Sequence, residues 1–110
     1  SELYLIRAEA RYESNPSGAR ADLNALRSRR GLEAIDNLLS GEALLNRILL
    51  ERRLEFALEG HRWFDLKRNG KNISKPEGFL DVPYTDYRIL SNIPLDEITL
   101  NEKLEQNPGY

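Results

Sequence analysis

The sequence predicts a mostly α-helical fold: a helical hairpin of tetratricopeptide type, a long third helix, and an irregular C-terminal third. Three observations carry this prediction. Apolar residues recur at helical spacing in residues 3–12 and again in residues 19–30. Residues 41–59 form a longer stretch bounded by Ser40 and Gly60, residues suited to the start and the stop of one helix. Prolines and glycines then punctuate the chain from Gly70 onward, where no long apolar period survives.

In residues 3–12, Leu3, Ile6 and Ala10 share one helical face, with Tyr4, Ala8 and Tyr12 beside it. Asn15-Pro16-Ser17-Gly18 is expected to break that helix. In residues 19–30, Ala19, Leu23 and Leu26 recur at i, i+4 and i+7. Arg27, Arg29 and Arg30 suit the negative end of the helix dipole, and Gly31 suits a C′ stop. The two helices are expected to pair antiparallel, and the small residues Ala8, Ala10, Ala19 and Ala21 would let them approach closely.

Ser40 is a suitable N-cap for the third helix, residues 41–59, and Gly60 a suitable C′ residue. At 100° per residue, Glu51, Arg52, Glu55 and Glu59 fall in one sector. Leu45, Leu49 and Phe56 flank it on one side, and Leu50, Leu54, Ala57 and Leu58 on the other. A charged stripe between two apolar stripes is expected to be partly buried and therefore ion-paired, with Arg62 or Lys67 as partners. Residues 62–67 suit a short helix or turn, Asn69-Gly70 a turn, and residues 71–86 a polar loop broken by Pro76, Gly78 and Pro83. Ile93-Pro94 should be extended, and residues 96–100 have room for one helical turn before Asn107-Pro108-Gly109-Tyr110. The organisation expected is therefore a hairpin over residues 1–31, a core helix and turn over 40–68, and a loop-rich tail over 69–110.

With 110 residues and 40% hydrophobic content, the chain can supply one modest core if partners cover part of its surface. Its 16 basic and 18 acidic residues leave a formal charge of −2, which lacks the concentrated basic footprint that nucleic acid requires. No apolar run approaches the roughly 20 residues that span a bilayer. There is no cysteine, and hence no disulfide, thiol nucleophile or thiolate zinc site. The helical pattern begins almost at Ser1, which is expected of a segment cut from a longer chain.

The ordered pieces resemble the C-terminal end of the SusD/RagB family of outer-membrane nutrient-binding lipoproteins. They are Leu-Ile-Arg-Ala-Glu-Ala at 5–10, Ala21-Asp22-Leu23-Asn24 with Leu26-Arg27-Ser28-Arg29, and Glu51-Arg52-Arg53-Leu54-Glu55. There follow Glu59-Gly60-His61-Arg62-Trp63-Phe64-Asp65-Leu66-Lys67-Arg68, then Ile93-Pro94, Glu97-Ile98 and Asn101, and finally Gln106-Asn107-Pro108-Gly109-Tyr110. The resemblance implies a surface protein on the extracellular face of the bacterial outer membrane. Such a protein binds oligosaccharides, or in some members peptides, and hands them to a TonB-dependent transporter of SusC type without cleaving them. It also implies attachment through a lipidated N-terminal cysteine and a much longer chain, so this sequence is expected to be the C-terminal part, mainly a scaffold. The alternative is a helical-repeat scaffold whose concave face grips a protein partner.

Sugar recognition sets an aromatic ring against the sugar's C–H face, with polar side chains fixing the hydroxyls. The resemblance implies that the family's aromatic glycan platform is formed largely by segments upstream of this chain and by variable loops; within the chain, Tyr84, Tyr87 and Arg88, in the irregular segment, are the candidate ligand-contacting residues. Trp63 and Phe64 are instead expected to pack in the core at the end of the third helix. Glu51, Glu55 and Glu59 could in spacing serve as a glycosidase's paired carboxylates. With Arg52, Arg53 and Arg62 close by, a structural network of Glu51, Arg52, Glu55, Glu59 and Arg62 is the preferred reading. His61 has no second His or Cys at ligand spacing, and no Gly-x-x-x-x-Gly-Lys loop is present. No catalytic residue, metal or cofactor is expected.

Overall fold

The computed structural model describes all residues, 1–110. It is helical and without named strands. In chain order it holds α1 (Glu2–Arg11), α2 (Pro16–Arg29), α3 (Gly41–Glu55), α4 (His61–Arg68), a 3-10 turn at Tyr87–Ile89, and α5 (Leu95–Leu100). No helix is long and apolar enough to cross a membrane. The chain divides into two compact units, Ser1–Arg62 and Trp63–Tyr110.

In the first unit, α1 and α2 run antiparallel. Ser1 meets Arg30, Tyr4 lies under Arg29, and Arg7 meets Asp22, so positions rise on one helix as they fall on the other. Helix α3 then runs the same way as α2, with Glu51 paired to Arg27 and Glu55 to Arg30. The core between them is Leu5 and Ala8 of α1, Ala19, Leu23 and Leu26 of α2, Leu44 and Ile48 of α3, and Ile35 of the intervening segment. Ala8 and Ala19 are fully buried, small side chains of the kind that let helices approach closely. Asp22 is buried beside them, and its carboxylate takes Arg7 Nε at 2.9 Å and Arg11 Nη1 at 3.2 Å, which keeps the buried charge paired.

Four expectations are corrected here. Leu3, Ile6 and Ala10 are exposed, and it is the neighbouring face, Leu5 and Ala8, that is buried. Helix α2 begins at Pro16, three residues before the expected start, because Asn15 acts as an N-cap. Its side chain accepts from Gly18 N–H at 2.9 Å, and Pro16 at the first turn lacks only an N–H that would have had no helical partner. Helix α3 ends at Glu55 and not at Glu59. Phe56 leaves the helical region with φ −110°, its ring stacks on His61 at 4.7 Å, and Leu58 turns to φ +68°. Gly60 therefore stands before α4 and does not close α3. Finally, of the two apolar stripes on the third helix, Leu45 and Leu49 are buried, whereas Leu50, Leu54 and Leu58 are exposed.

The second unit is built around Leu66 of α4, Val82 and Ile89, all buried. An isolated antiparallel bridge, Ile73 with Val82, closes the loop after α4. Side chains replace strand pairing elsewhere. Asn72 Oδ1 accepts from Tyr84 N–H at 2.9 Å, and Asp81 Oδ1 from Lys75 N–H at 2.8 Å. Gln106 pairs with both backbone groups of Ile93, accepting its N–H at 2.8 Å and donating to its carbonyl at 2.9 Å. Asn107 donates to the Ser91 carbonyl at 2.6 Å, and the Tyr110 hydroxyl donates to the Leu90 carbonyl at 2.9 Å. The last five residues thus fasten onto segment 90–93, supplying the backbone partners that this irregular stretch lacks.

Candidate functional site

Within the second unit, an open cleft of about 870 Å³ is lined by Phe64, Lys67 and Arg68 of α4, by residues 84–87 with Ile89 and Leu90, and by Pro108. Three aromatic side chains face it partly exposed: Phe64 at 66%, Tyr87 at 48% and Tyr84 at 45%. Exposed aromatic surface is what a saccharide's apolar face requires.

Each ring is held from behind. Tyr84 stands against the Gly70 backbone, where an added Cβ would lie 3.7 Å from its Cε1, and its own N–H is tied to Asn72. Tyr87 receives Tyr110 edge-on, with ring centroids 5.2 Å apart and planes at 79°. Phe64 is set by α4, a two-turn helix whose buried side carries Asp65 and Leu66. Asp65, 1% exposed, accepts from Arg68 Nη2 at 2.9 Å.

Arg88, expected at a ligand, reaches Asp86 instead. Nε donates to Oδ1 at 2.8 Å, Nη2 to Oδ2 at 2.7 Å, and the Arg88 backbone N–H to Oδ1 at 2.9 Å. These bonds hold the Asp86 carboxyl down at about 2 and push the guanidinium up. Asp86 lines the cleft and Arg88 braces it, so of the three expected ligand residues the fold brings Tyr84 and Tyr87 together at the cleft.

The charged stretch of α3 lies in the first unit. Glu51 is buried, and its Oε1 accepts from Arg27 Nη1 and, at 2.5 Å, from Arg47 Nη2. Glu55 takes both Arg30 Nε and Nη2. The guanidinium bonds hold the Glu55 carboxyl below its ordinary value. Arg52 is buried with its Nε 4.0 Å from Glu9 and its guanidinium 5.3 Å from the Phe56 ring centre. Arg62 Nη1 lies 3.4 Å from the Leu49 carbonyl, and Glu59, in the turn after α3, has its carboxylate 4.0 Å from His61 Nε2. The partners of Glu51 and Glu55 come from α2 and from within α3, where Arg62 or Lys67 had been expected.

Trp63 and Phe64 are 41% and 66% exposed, which corrects their assignment to the core. Sequence reasoning also missed Lys67, Arg68 and Pro108 as cleft residues. The available signal was weak: Lys67 and Arg68 close a helix, where cations occur for dipole reasons alone. No group of three His, Cys, Asp or Glu side chains is placed to hold a metal ion.

The sequence matches the model of the SusD family over residues 1–110. Among curated proteins, SusD-like protein P2 of Formosa agariphila is 35% identical over the whole of this chain and 25% of its own length. SusD-like protein P38 of the same organism is 31% identical over the whole chain and 23% of its length. The chain therefore spans about a quarter of the curated relatives it matches. A crystal structure of a SusD-like protein from Bacteroides fragilis superposes with a TM-score of 0.79 at 33% identity, covering 99% of this chain and 24% of that one.

Proposed function

The chain belongs to the SusD family, and on that premise we propose that it serves the capture of oligosaccharides at the bacterial cell surface. The single observation carrying this reading is the family match from end to end, and the aromatic cleft gives it a chemical basis. Phe64, Tyr84 and Tyr87 offer ring surface to a sugar's C–H face, while Thr85 and the Lys67 ammonium offer polar groups to its hydroxyls. The cleft is open to solvent, which suits a saccharide entering from outside.

Capture without cleavage fits the carboxylates. A retaining or inverting glycosidase needs a general acid whose pKa is raised. Glu55 is shifted the other way by Arg30, and Glu51 is bound by Arg27 and Arg47. Both are committed to holding α2 and α3 together. As in the family at large, the bound glycan is handed on to a SusC-like TonB-dependent transporter in the outer membrane, with the protein tethered there by a lipid anchor. In this scheme the first unit is the scaffold.

Calorimetric titration of the protein against a panel of oligosaccharides and peptides tests the reading. Binding to a saccharide that is lost in Tyr84→Ala and Tyr87→Ala is expected. Binding to peptides alone would replace the ligand class, and binding to neither would overturn the proposal. Co-purification of a TonB-dependent transporter tests the handover, and its absence would sink that part.

A further inference from the structure

The cleft's cations and carboxylates are not equally available. Lys67 and Arg68 close α4 and line the cleft, where the one lining carboxylate is Asp86. Both Asp86 oxygens are already occupied by Arg88, through Nε, Nη2 and the backbone N–H at 2.7–2.9 Å. The next nearest carboxylate in sequence, Asp65, is 1% exposed and accepts from Arg68. Each carboxylate is thus neutralised by an arginine of its own, and the Lys67 ammonium is the charge left for a ligand.

We infer that the cleft selects saccharides carrying an anionic group, a carboxylate or a sulfate, over neutral saccharides of the same shape. This rests on the proposed glycan site and adds its ligand class. Stacking on Phe64 and Tyr87 is indifferent to charge, because every pyranose has a C–H face. Discrimination falls to the ammonium: an anion within its reach makes a charge-assisted hydrogen bond, whereas a neutral sugar partly desolvates Lys67 and returns only a hydroxyl contact. Lysine suits this, being a compact charge on a flexible stem that can follow either a planar carboxylate or a tetrahedral sulfate.

Two matched probe pairs test the inference by calorimetry: trigalacturonic acid with its methyl ester, and a carrageenan oligosaccharide with its desulfated form. The charged member of at least one pair is expected to bind about tenfold more tightly than its neutral counterpart, a preference that shrinks with added salt. It should vanish in Lys67→Gln and persist in Lys67→Arg, and the pair that shows it identifies the anion. Equal binding of charged and neutral members, still abolished by Tyr87→Ala, would overturn the selectivity while leaving the glycan site standing. So would a preference that Lys67→Gln leaves unchanged. Failure of all four probes to bind, or binding untouched by Tyr84→Ala and Tyr87→Ala, would overturn the site and the selectivity together.

Discussion

Gly109 lies against Tyr87 so closely that a Cβ built on it would stand 2.5 Å from the Tyr87 Cγ. It also has φ +96°, a conformation that L side chains rarely adopt. Its chain neighbours are Pro108, which lines the cleft, and Tyr110, which stands edge-on to Tyr87. In Gly109→Ala the clash and the strain both act, and the tail must lift from Tyr87. The expected result is loss of about 1–3 kcal/mol of stability in the second unit and faster hydrogen exchange at Ile93 and Asn107, whose N–H groups Gln106 holds. Unchanged exchange in Gly109→Ala would show that the clasp does not depend on this approach.

Glu51 and Glu55 sit one turn apart on α3, yet their substitutions should differ sharply. Glu51 has a side chain 6% exposed and serves Arg27, itself 13% exposed, together with Arg47. Removing that carboxylate in Glu51→Leu strands buried positive charge, at an expected cost of about 3–5 kcal/mol in urea unfolding. Adding Arg27→Met should restore part of the loss. Glu55 pairs with Arg30, whose side chain is 56% exposed and can return to water, so Glu55→Gln should cost much less. Equal losses for the two variants would contradict this ranking.

The helices were legible because their evidence is periodic and local: Ala19, Leu23 and Leu26 are buried where the i, i+4, i+7 pattern puts them, whereas Leu44 and Ile48, the core residues of α3, fall in the sector read as charged. What the pattern leaves open is which apolar face finds a partner: Leu3 and Ile6 share one face of α1, yet it is Leu5 and Ala8 that occupy the core. The partner of Glu51 was hidden for a related reason. Arg27 is 24 residues away on another helix, and angles within α3 carry no information about α2. The end of α3 was missed because Ala57 and Leu58 are good helix formers, and only the Phe56–His61 stack and the left-handed Leu58 reveal the turn. At the cleft, Tyr84 and Tyr87 stood out as aromatics in a polar, proline-broken stretch. Lys67 and Pro108 join them only through folding, from positions some 40 residues apart that no local pattern connects.

Asn15 shows how one dipeptide carries two meanings. Asn-Pro reads as a break, and here it is the start of α2, with Asn15 Oδ1 accepting from Gly18 N–H and from the Ser17 hydroxyl. Asn15→Ala removes the cap while leaving Pro16 at the first turn. The expected cost is about 1 kcal/mol, read as a drop of several degrees in melting temperature, and Asn15→Asp should retain most of the stability by capping equally well. A melt unaffected by Asn15→Ala would mean that Pro16 alone fixes the helix start.

Asp86 gives the pH response of the cleft. Hydrogen bonds from the Arg88 side chain, and then from its backbone N–H, lower the Asp86 carboxyl from 3.8 to about 2. A carboxyl whose value is lower folded than unfolded contributes stability that is complete above the unfolded value and lost as pH falls through the folded one. The Asp86–Arg88 brace should therefore hold at neutral pH and weaken only as pH drops from about 4 towards about 2. Glu55, lowered in the same direction by Arg30, adds to acid loss in the first unit. A carboxyl carbon titration followed by NMR is expected to put the Asp86 midpoint near 2 and to return it to the ordinary range, about 4, in Arg88→Ala. The stability gap between wild type and Arg88→Ala should narrow over the same interval. A wild-type midpoint near 4 would mean that Arg88 is not bound to Asp86 in solution, leaving a carboxylate in the cleft free to repel the anionic sugars proposed for it.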